Sequence, residues 1–499
     1  MKVLIVASEC FPVVKVGGLG DVIGSLPKAL KKAGLDVRIV IPGYQKILHT
    51  WCESQAQHHT GCGGEDKSRD FVIHYAGEAQ KVILHQTVLP ETDIPLYLIE
   101  NEKYISSGGI YMDPSAFASS QEEIERFAFF SKAVVGLFVA REDVFFPDIV
   151  HCNDWHTGII SQLIKSEARY LELNRPATIF TIHNLANQGI SSTDVVNKLD
   201  GEILSKSPYI KWDTADNNLD FIMQGILGSD VVTTVSPSYA EEIKTQEFGE
   251  GLNEVIKAKE ARVFGVLNGI DKDVFNPKTD QYLKVNYSPE DLEAVLKGKS
   301  ANKKLLQQEL SLQEKSVPMI GLVSRLTNQK GIDIFVSSVD EMISMGFQIV
   351  ILGTGDKAIE NRIVSKMSEP ELSGNCAGII KFDEGVARRV YAAADFFAVP
   401  SRFEPCGLTQ MIAMRYGAVP IVRAVGGLKD TVKEGETGFL FEGFNQSEFL
   451  SVIKRAKRVY DDKNLWGKIV GNCIAEDFSW DKSAQEYILL YAKALAFAQ

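Results

Sequence analysis

No stretch of this 499-residue chain approaches the roughly 18–20 uncharged apolar residues that span a bilayer as a helix. That absence argues against an integral helical membrane protein. Positive charge is also in short supply: 53 Lys and Arg stand against 65 Asp and Glu, a formal charge of −12. Such a balance argues against a protein that coats nucleic acid or anionic membrane, while leaving room for a local basic pocket. Seven cysteines, an odd number scattered along the chain, do not form a disulfide framework and point to a reducing compartment. No internal repeat and no low-complexity tract is visible. The opening MKVLIVASEC has an apolar run, Val3–Ala7, too brief for a secretory signal, and Gly-rich sequence with no processing site follows. A cytoplasmic location is the expectation.

What is present is globular composition, 45% hydrophobic and 24% charged, over a length that suits two or three domains. Short β-rich apolar runs alternate with helical patterns. Strands are expected at Val3–Ala7, Val37–Ile41, Lys81–Leu84, Leu96–Glu100, Ile149–Cys152, Thr178–His183, Val231–Val235 and Val263–Val266. A second series follows at Met319–Ser324, Gln348–Gly353, Ile379–Phe382, Phe396–Pro400 and Pro420–Val422. Between them lie amphipathic stretches such as Val22–Ala33, with Ile23, Leu26, Leu30 and Ala33 on one face. Continuous rather than alternating apolar strands indicate parallel sheets covered on both sides. The pattern runs twice around a helical, linker-like region at about 236–262, so two doubly wound α/β domains are expected, with ligands at the carboxyl ends of the strands.

Four strand ends carry chemistry. Lys15-Val16-Gly17-Gly18-Leu19-Gly20-Asp21 follows the first strand, where glycines admit an anion close to the backbone and Lys15 adds a point charge. The lysine precedes the glycines, so this is neither G-x-G-x-x-G nor a Walker loop; a plain βα turn with an exposed lysine is the alternative. His151-Cys152-Asn153-Asp154-Trp155-His156 closes another strand. Alternate side chains there point to opposite faces, which suits a hydrogen-bonding histidine better than a metal. Cys52, His58, His59 and Cys62 have no recognisable ligand spacing and read as a polar loop. Ser324-Arg325-Leu326-Thr327-Asn328-Gln329-Lys330-Gly331 leads into a helix near Ile332, and Arg325 and Lys330 flank the turn as a pair suited to a diphosphate. In Pro400-Ser401-Arg402-Phe403-Glu404-Pro405-Cys406-Gly407-Leu408-Thr409, Glu404 can accept from sugar hydroxyls and residues 406–409 present amides to phosphate. Cys406 is read as a backbone donor in a tight turn rather than a thiolate.

K-V-G-G-L-G-D, H-C-N-D-W-H, F-T-I-H-N, T-V-S-P-S-Y-A, L-N-G-I-D, V-S-R-L-T-x-Q-K-G, L-G-T-G-D, P-S-R-F-E-P-C-G-L-T-Q and a final F-S-W occur in that order. Together they resemble the bacterial glycogen synthase and plant starch synthase family, from residue 1 to about 495. The resemblance implies a GT-B fold of two Rossmann-like domains facing a cleft, here 1–250 on the acceptor side and 251–477 for the nucleotide sugar, with 478–499 crossing back as a helix. It implies retaining transfer of glucose from ADP-glucose to the non-reducing end of an α-1,4-glucan, with neither nucleic acid nor membrane as partner. Lys15 and Gly18 would then meet the donor diphosphate, and Arg325 and Lys330 would stabilise it as it leaves. His156 would contact the glucose near O6 with its carbonyl facing the anomeric carbon, and Glu404 would hold the glucose hydroxyls. Cys406, Gly407, Leu408 and Thr409 would bind through their amides, and Phe382 would lie against the adenine.

Cations aimed at departing negative charge stabilise the transition state directly, so no cofactor or divalent metal is expected, and no D-x-D pair stands ready to hold one. The departures from the family pattern cluster on the acceptor side: Ser107 for Arg, Glu122-Glu123 for Asp-Asn, Asn187 for Tyr, Asp220 for Asn and Met223 for Lys. Ile412, eight residues after Glu404, replaces the second acid of the wider E-x7-E pattern. Two other readings stand beside the leading one. The first is a same-fold transferase for another nucleotide sugar or acceptor; the second is a catalytically impaired glucan- or nucleotide-binding protein.

Overall fold

A computed structural model describes residues 1–48, 69–107, 109–110, 120–140, 145–167 and 175–498. The Cys52, His58, His59 and Cys62 group lies outside these residues. The chain divides into two compact units, one of 1–235, 240–266 and 480–499, the other of 236–239 and 267–479.

The first unit is built on nine strands: β1 Lys2–Val6, β2 Asp36–Pro42, β3 Arg69–Tyr75, β4 Glu78–Val88, β5 Pro95–Glu100, β6 Ile149–Asn153, β7 Ala177–Ile182, β10 Val231–Thr234 and β11 Val263–Gly265. Their order across the sheet is β11-β10-β7-β6-β1-β2-β5-β4-β3. β8 Ile190–Ser192 and β9 Asn218–Asp220 form a separate antiparallel pair. β1 is apolar and fully buried from Val3 to Val6, as expected of a strand covered on both faces. The sheet is not wholly parallel, however. β3 and β4 make a hairpin, and β4 also runs antiparallel to β5. A two-residue connection cannot serve a parallel pair, and Ala76 and Gly77, both at positive φ (54° and 78°), close the turn. Helix α1 (Gly18–Lys32), α2 (Gln121–Ala140), α3 (Phe221–Gly228) and the C-terminal helix Trp480–Ala498 pack in this unit. Trp480, Tyr487 and Tyr491 are part of the same core as Val3, Ile5 and Ile179.

The second unit holds a six-stranded parallel sheet of β12 Met319–Val323, β13 Gln348–Gly353, β14 Cys376–Ile380, β15 Phe396–Val399, β16 Val419–Arg423 and β17 Phe439–Phe441. The order is β14-β13-β12-β15-β16-β17. Among the described residues no helix is long and apolar enough to cross a membrane.

Strand order reverses between β1 and β6 in the first sheet and between β12 and β15 in the second. Loops leaving the carboxyl ends of such neighbours diverge to opposite faces and open a crevice, the usual ligand position in doubly wound sheets. The Lys15 turn follows β1 and His156 follows β6, while Arg325 and Lys330 follow β12 and Glu404 follows β15. Four of the motifs singled out in the sequence stand at these two reversals.

Candidate active site

In the second unit the loops after β12 and β15 are stitched together. Arg402 N–H donates to Gln329 O at 2.7 Å, and Gln329 Nε2 donates to Phe403 O at 3.2 Å. Gly331 has φ of 65°, and a Cβ there would stand 1.9 Å from Pro400 O, so only glycine allows the approach. Across this seam Lys330 Nζ donates to Glu404 Oε2 at 2.6 Å, and Ser401 Oγ donates to the same oxygen at 2.8 Å. Both partners of the ion pair are largely buried. Arg325 is exposed; its backbone oxygen accepts from Ser324 Oγ and Thr327 N, while its guanidinium makes no hydrogen bond or ion pair among the described residues. Glu404 therefore has one oxygen engaged, Lys330 is a cation already held in place, and Arg325 is a guanidinium with its donors unused.

The Glu404–Thr409 turn is supported from behind. Ser236 Oγ donates to Pro405 O at 2.5 Å, which accounts for one serine of the T-V-S-P-S-Y-A motif. Gly427 approaches so closely that a Cβ would meet Cys406 O at 2.3 Å. Gln410 Nε2 donates to Cys406 O and Gly407 O, and Gly407 takes φ of 72°. Burial pushes the Cys406 thiol up to about 12, so it is no thiolate at neutral pH. The helix that follows, Thr409–Arg415, is only seven residues long. Phe382, beyond β14, is 84% exposed, an unusual position for a phenyl ring.

In the first unit the turn after β1 differs from its reading in sequence. Helix α1 begins at Gly18 rather than Val22. Lys15 Nζ is paired with Asp21 Oδ1 at 2.7 Å and lies over the Phe11 ring. The N–H groups of Val16 and Gly17 donate to Glu9 Oε2 at 2.6 and 2.9 Å. Gly18 is exposed in the first turn of α1, where amides have no partner within the helix.

After β6, Asp154 takes φ of 56° and ψ of 179°, a region that residues with a side chain rarely occupy. Its Oδ1 accepts from His183 N at 2.7 Å and Asn184 N at 3.4 Å, tying the ends of β6 and β7. Burial raises the Asp154 carboxyl to about 7 against those two hydrogen bonds. The His156 ring stacks on Trp155 at 4.2 Å and meets Phe127 edge-on at 4.5 Å. Burial lowers His156 to about 3, so the ring is neutral at physiological pH. Its backbone oxygen accepts from Ser131 Oγ at 3.3 Å. His151 is a core residue, bonded to Tyr491 OH at 3.0 Å and Thr181 Oγ1 at 2.7 Å. Among the described residues no group of three His, Cys, Asp or Glu could hold a metal ion.

Among the acceptor-side positions singled out in sequence, Asp220 caps α3 by accepting from Met223 N at 3.0 Å, and Asp213 accepts from Asp220 N. Burial raises Asp220 to about 7, with the nearby Asp213 charge adding to the rise. Met223 is buried, Asn187 is exposed, and Ser107 O accepts from Arg126 Nη2 at 2.6 Å. Sequence reasoning missed Glu9, because a single carboxylate in a loop leaves no periodic signal; it named Asp154 within the H-C-N-D-W-H motif but not its hold on the His183 and Asn184 amides.

A family model described as the starch synthase catalytic domain matches residues 2–258, and one described as glycosyl transferases group 1 matches 317–457. The glycogen synthase of Clostridium novyi (strain NT) is 39% identical, with 99% of each chain covered. That of Thermotoga maritima is 40% identical, again with 99% of each chain covered. Among solved structures, the catalytic domain of Starch Synthase IV from Arabidopsis thaliana bound to ADP and acarbose matches with a TM-score of 0.85, at 31% identity over 99% of both chains. Sucrose-phosphate synthase from Thermosynechococcus elongatus shares the fold, with a TM-score of 0.60 at 18% identity over 99% of both chains.

Proposed function

The chain belongs to the glycogen and starch synthase family, with the GT-B fold, and from that premise we propose that it moves glucose from ADP-glucose to the 4-hydroxyl at the non-reducing end of an α-1,4-glucan. Its activity is glucosyl transfer in glycogen or starch synthesis, from a nucleotide sugar to a glucan. ADP as the carrier and retention of configuration are our reading. The ADP bound to the Arabidopsis relative and the exposed Phe382 ring, a surface on which adenine can stack, support the carrier.

The carrying observation is the Lys330–Glu404 pair at the β12–β15 reversal, with the unpaired Arg325 beside it in sequence. Breaking the glycosyl–phosphate bond leaves charge on the diphosphate and positive character on the anomeric carbon. In our assignment Arg325 and Lys330 take up the departing charge, and the amides of Cys406, Gly407, Leu408 and Thr409 bind sugar and phosphate. Glu404 turns its second oxygen to the glucose hydroxyls. Lys15 and Gly18 meet the donor phosphates, and His156, neutral by burial, hydrogen-bonds the glucose while its carbonyl faces the anomeric carbon. In a front-side displacement the bond from anomeric carbon to phosphate oxygen breaks on the face where the acceptor O4 bond forms. The O4 proton passes to the departing phosphate oxygen, so no protein base is consumed. The second unit is the nucleotide-sugar-binding domain and the first the acceptor-side domain.

A cytoplasmic setting fits the five described cysteines, all of them buried free thiols. The donor assignment is tested by parallel assays with ADP-glucose and UDP-glucose on glycogen. ADP-glucose is expected to give the higher kcat/KM by about tenfold or more. A preference for UDP-glucose would overturn it.

A further inference from the structure

The Lys15–Gly18 turn is closed by a carboxylate from its own loop. Glu9 lies just beyond β1 and is 3% exposed, and a single oxygen of it, Oε2, accepts from both Val16 N and Gly17 N. The intervening chain is folded on itself: Cys10 N donates to Val14 O and Val14 N to Cys10 O, both at 2.9 Å, while Phe11 N donates to Gly20 O. One end of this small loop is Glu9 and the other is the turn that presents Lys15 and Gly18. Gly20 completes the packing. A Cβ at that position would stand 3.2 Å from Glu9 Oε2 and 3.2 Å from the Lys15 stem. The third glycine of G-G-L-G thus leaves room for the carboxylate and the lysine together.

We infer that Glu9 is a positioning residue for the transfer reaction, which fixes the Val16 and Gly17 amides and through them aims Lys15 and the Gly18 amide at the donor phosphates. The inference rests on the reading of Lys15 and Gly18 as donor-binding groups and goes beyond it in two ways. Two of the amides at this turn are held by the protein's own carboxylate, so the turn acts on phosphate through Lys15 and Gly18. The buried negative charge also directs the turn from behind without touching substrate. An amide oxygen can replace Oε2 as acceptor for two N–H groups, whereas a methyl group cannot.

The test is steady-state kinetics on the full chain, with ADP-glucose and glycogen varied separately, for Glu9→Ala, Glu9→Gln and Lys15→Ala, with Tm recorded for each. Glu9→Ala is expected to raise the donor KM about tenfold or more while the glycogen KM stays put, and Glu9→Gln to remain within about threefold of the parent. A folded Glu9→Ala protein with an unchanged donor KM would overturn the inference. So would a loss in which donor and glycogen KM rise together with a fall in Tm. Lys15→Ala separates the two levels. If it leaves the donor KM unchanged, the reading of Lys15 fails; if it raises the KM and Glu9→Ala does not, only the role of Glu9 fails. Should Glu9→Ala not fold, Gly20→Ala carries the test, since alanine favours the helix but presses on Glu9 and Lys15. A donor KM raised about threefold or more supports the inference, and an unchanged one overturns it.

Discussion

Before any ligand arrives, carboxylates occupy two of the three cations assigned to the donor: Lys330 holds Glu404 and Lys15 holds Asp21. The two ends of the Lys330–Glu404 pair therefore have separable effects. Glu404→Ala removes the group assigned to the glucose hydroxyls but leaves Lys330 freer to meet phosphate. The expected result is a kcat lowered by about 10²–10³, with ADP affinity in calorimetry kept within about threefold. Asp220 offers a second residue-scale test. Burial first, then the Asp213 charge, raise its pKa from 3.8 to about 7. Between those values the folded protein holds a proton that the unfolded chain has released, so protonation favours folding there and the contribution is lost as pH rises through about 7. Asp220→Asn keeps an oxygen for Met223 N–H and never ionises. Its Tm relative to the parent is expected to be higher at pH 8.5 than at 5.5, and a pH-independent difference would refute the raised pKa. A protonated Asp220 can also donate a hydrogen bond, as an amide side chain would.

At the scale of elements, function depends on how two strand-end loops are held. Gly331 is the tightest point, at φ of 65° and with Pro400 O where a Cβ would go. Gly331→Ala combines backbone strain with a clash against main chain and is expected to cost about 2–4 kcal/mol, read as a lower Tm together with lost transfer activity. The strands that frame these loops were legible because buried parallel strands are continuous apolar runs: Met319–Val323 and Gln348–Gly353 could hardly be anything else. Arg69–Tyr75 was not legible. It is an edge strand of mixed polarity, RDFVIHY, and its pairing is set by a two-residue turn rather than by hydrophobic run length. β17, three residues long, carries too little pattern to stand out. The start of α1 at Gly18 is hidden in sequence, because two glycines mask a helix by propensity although the acid Asp21 sits in its first turn. Site residues that belong to ordered motifs could be named from sequence; Glu9, and the role of Asp154 within its motif, needed the fold, because their partners are backbone amides whose positions no side-chain pattern records.

At the scale of the whole molecule, the chain leaves the first unit, builds the second and returns, so that the helix Trp480–Ala498 helps form the core laid down by the first strands. Tyr491 is the clearest link, with its hydroxyl bonded to His151 inside the first sheet. Tyr491→Phe keeps the ring and strips the histidine of that partner. A cost of about 1–3 kcal/mol to the first unit's unfolding transition in urea is expected, with little effect on the second. The net charge of −12 belongs to the surface, while the cations assigned to phosphate are three residues, Lys15, Arg325 and Lys330. A neutral polymer is compatible with that acidic surface, and a doubly charged diphosphate calls for the local cations. The most direct test is the stoichiometry of transfer, measured with purified protein, ADP-glucose labelled in the glucose and glycogen as acceptor. The account predicts one glucose added in α-1,4 linkage to a non-reducing end for each ADP released. ADP released without growth of the polymer, or no release at all, would contradict it.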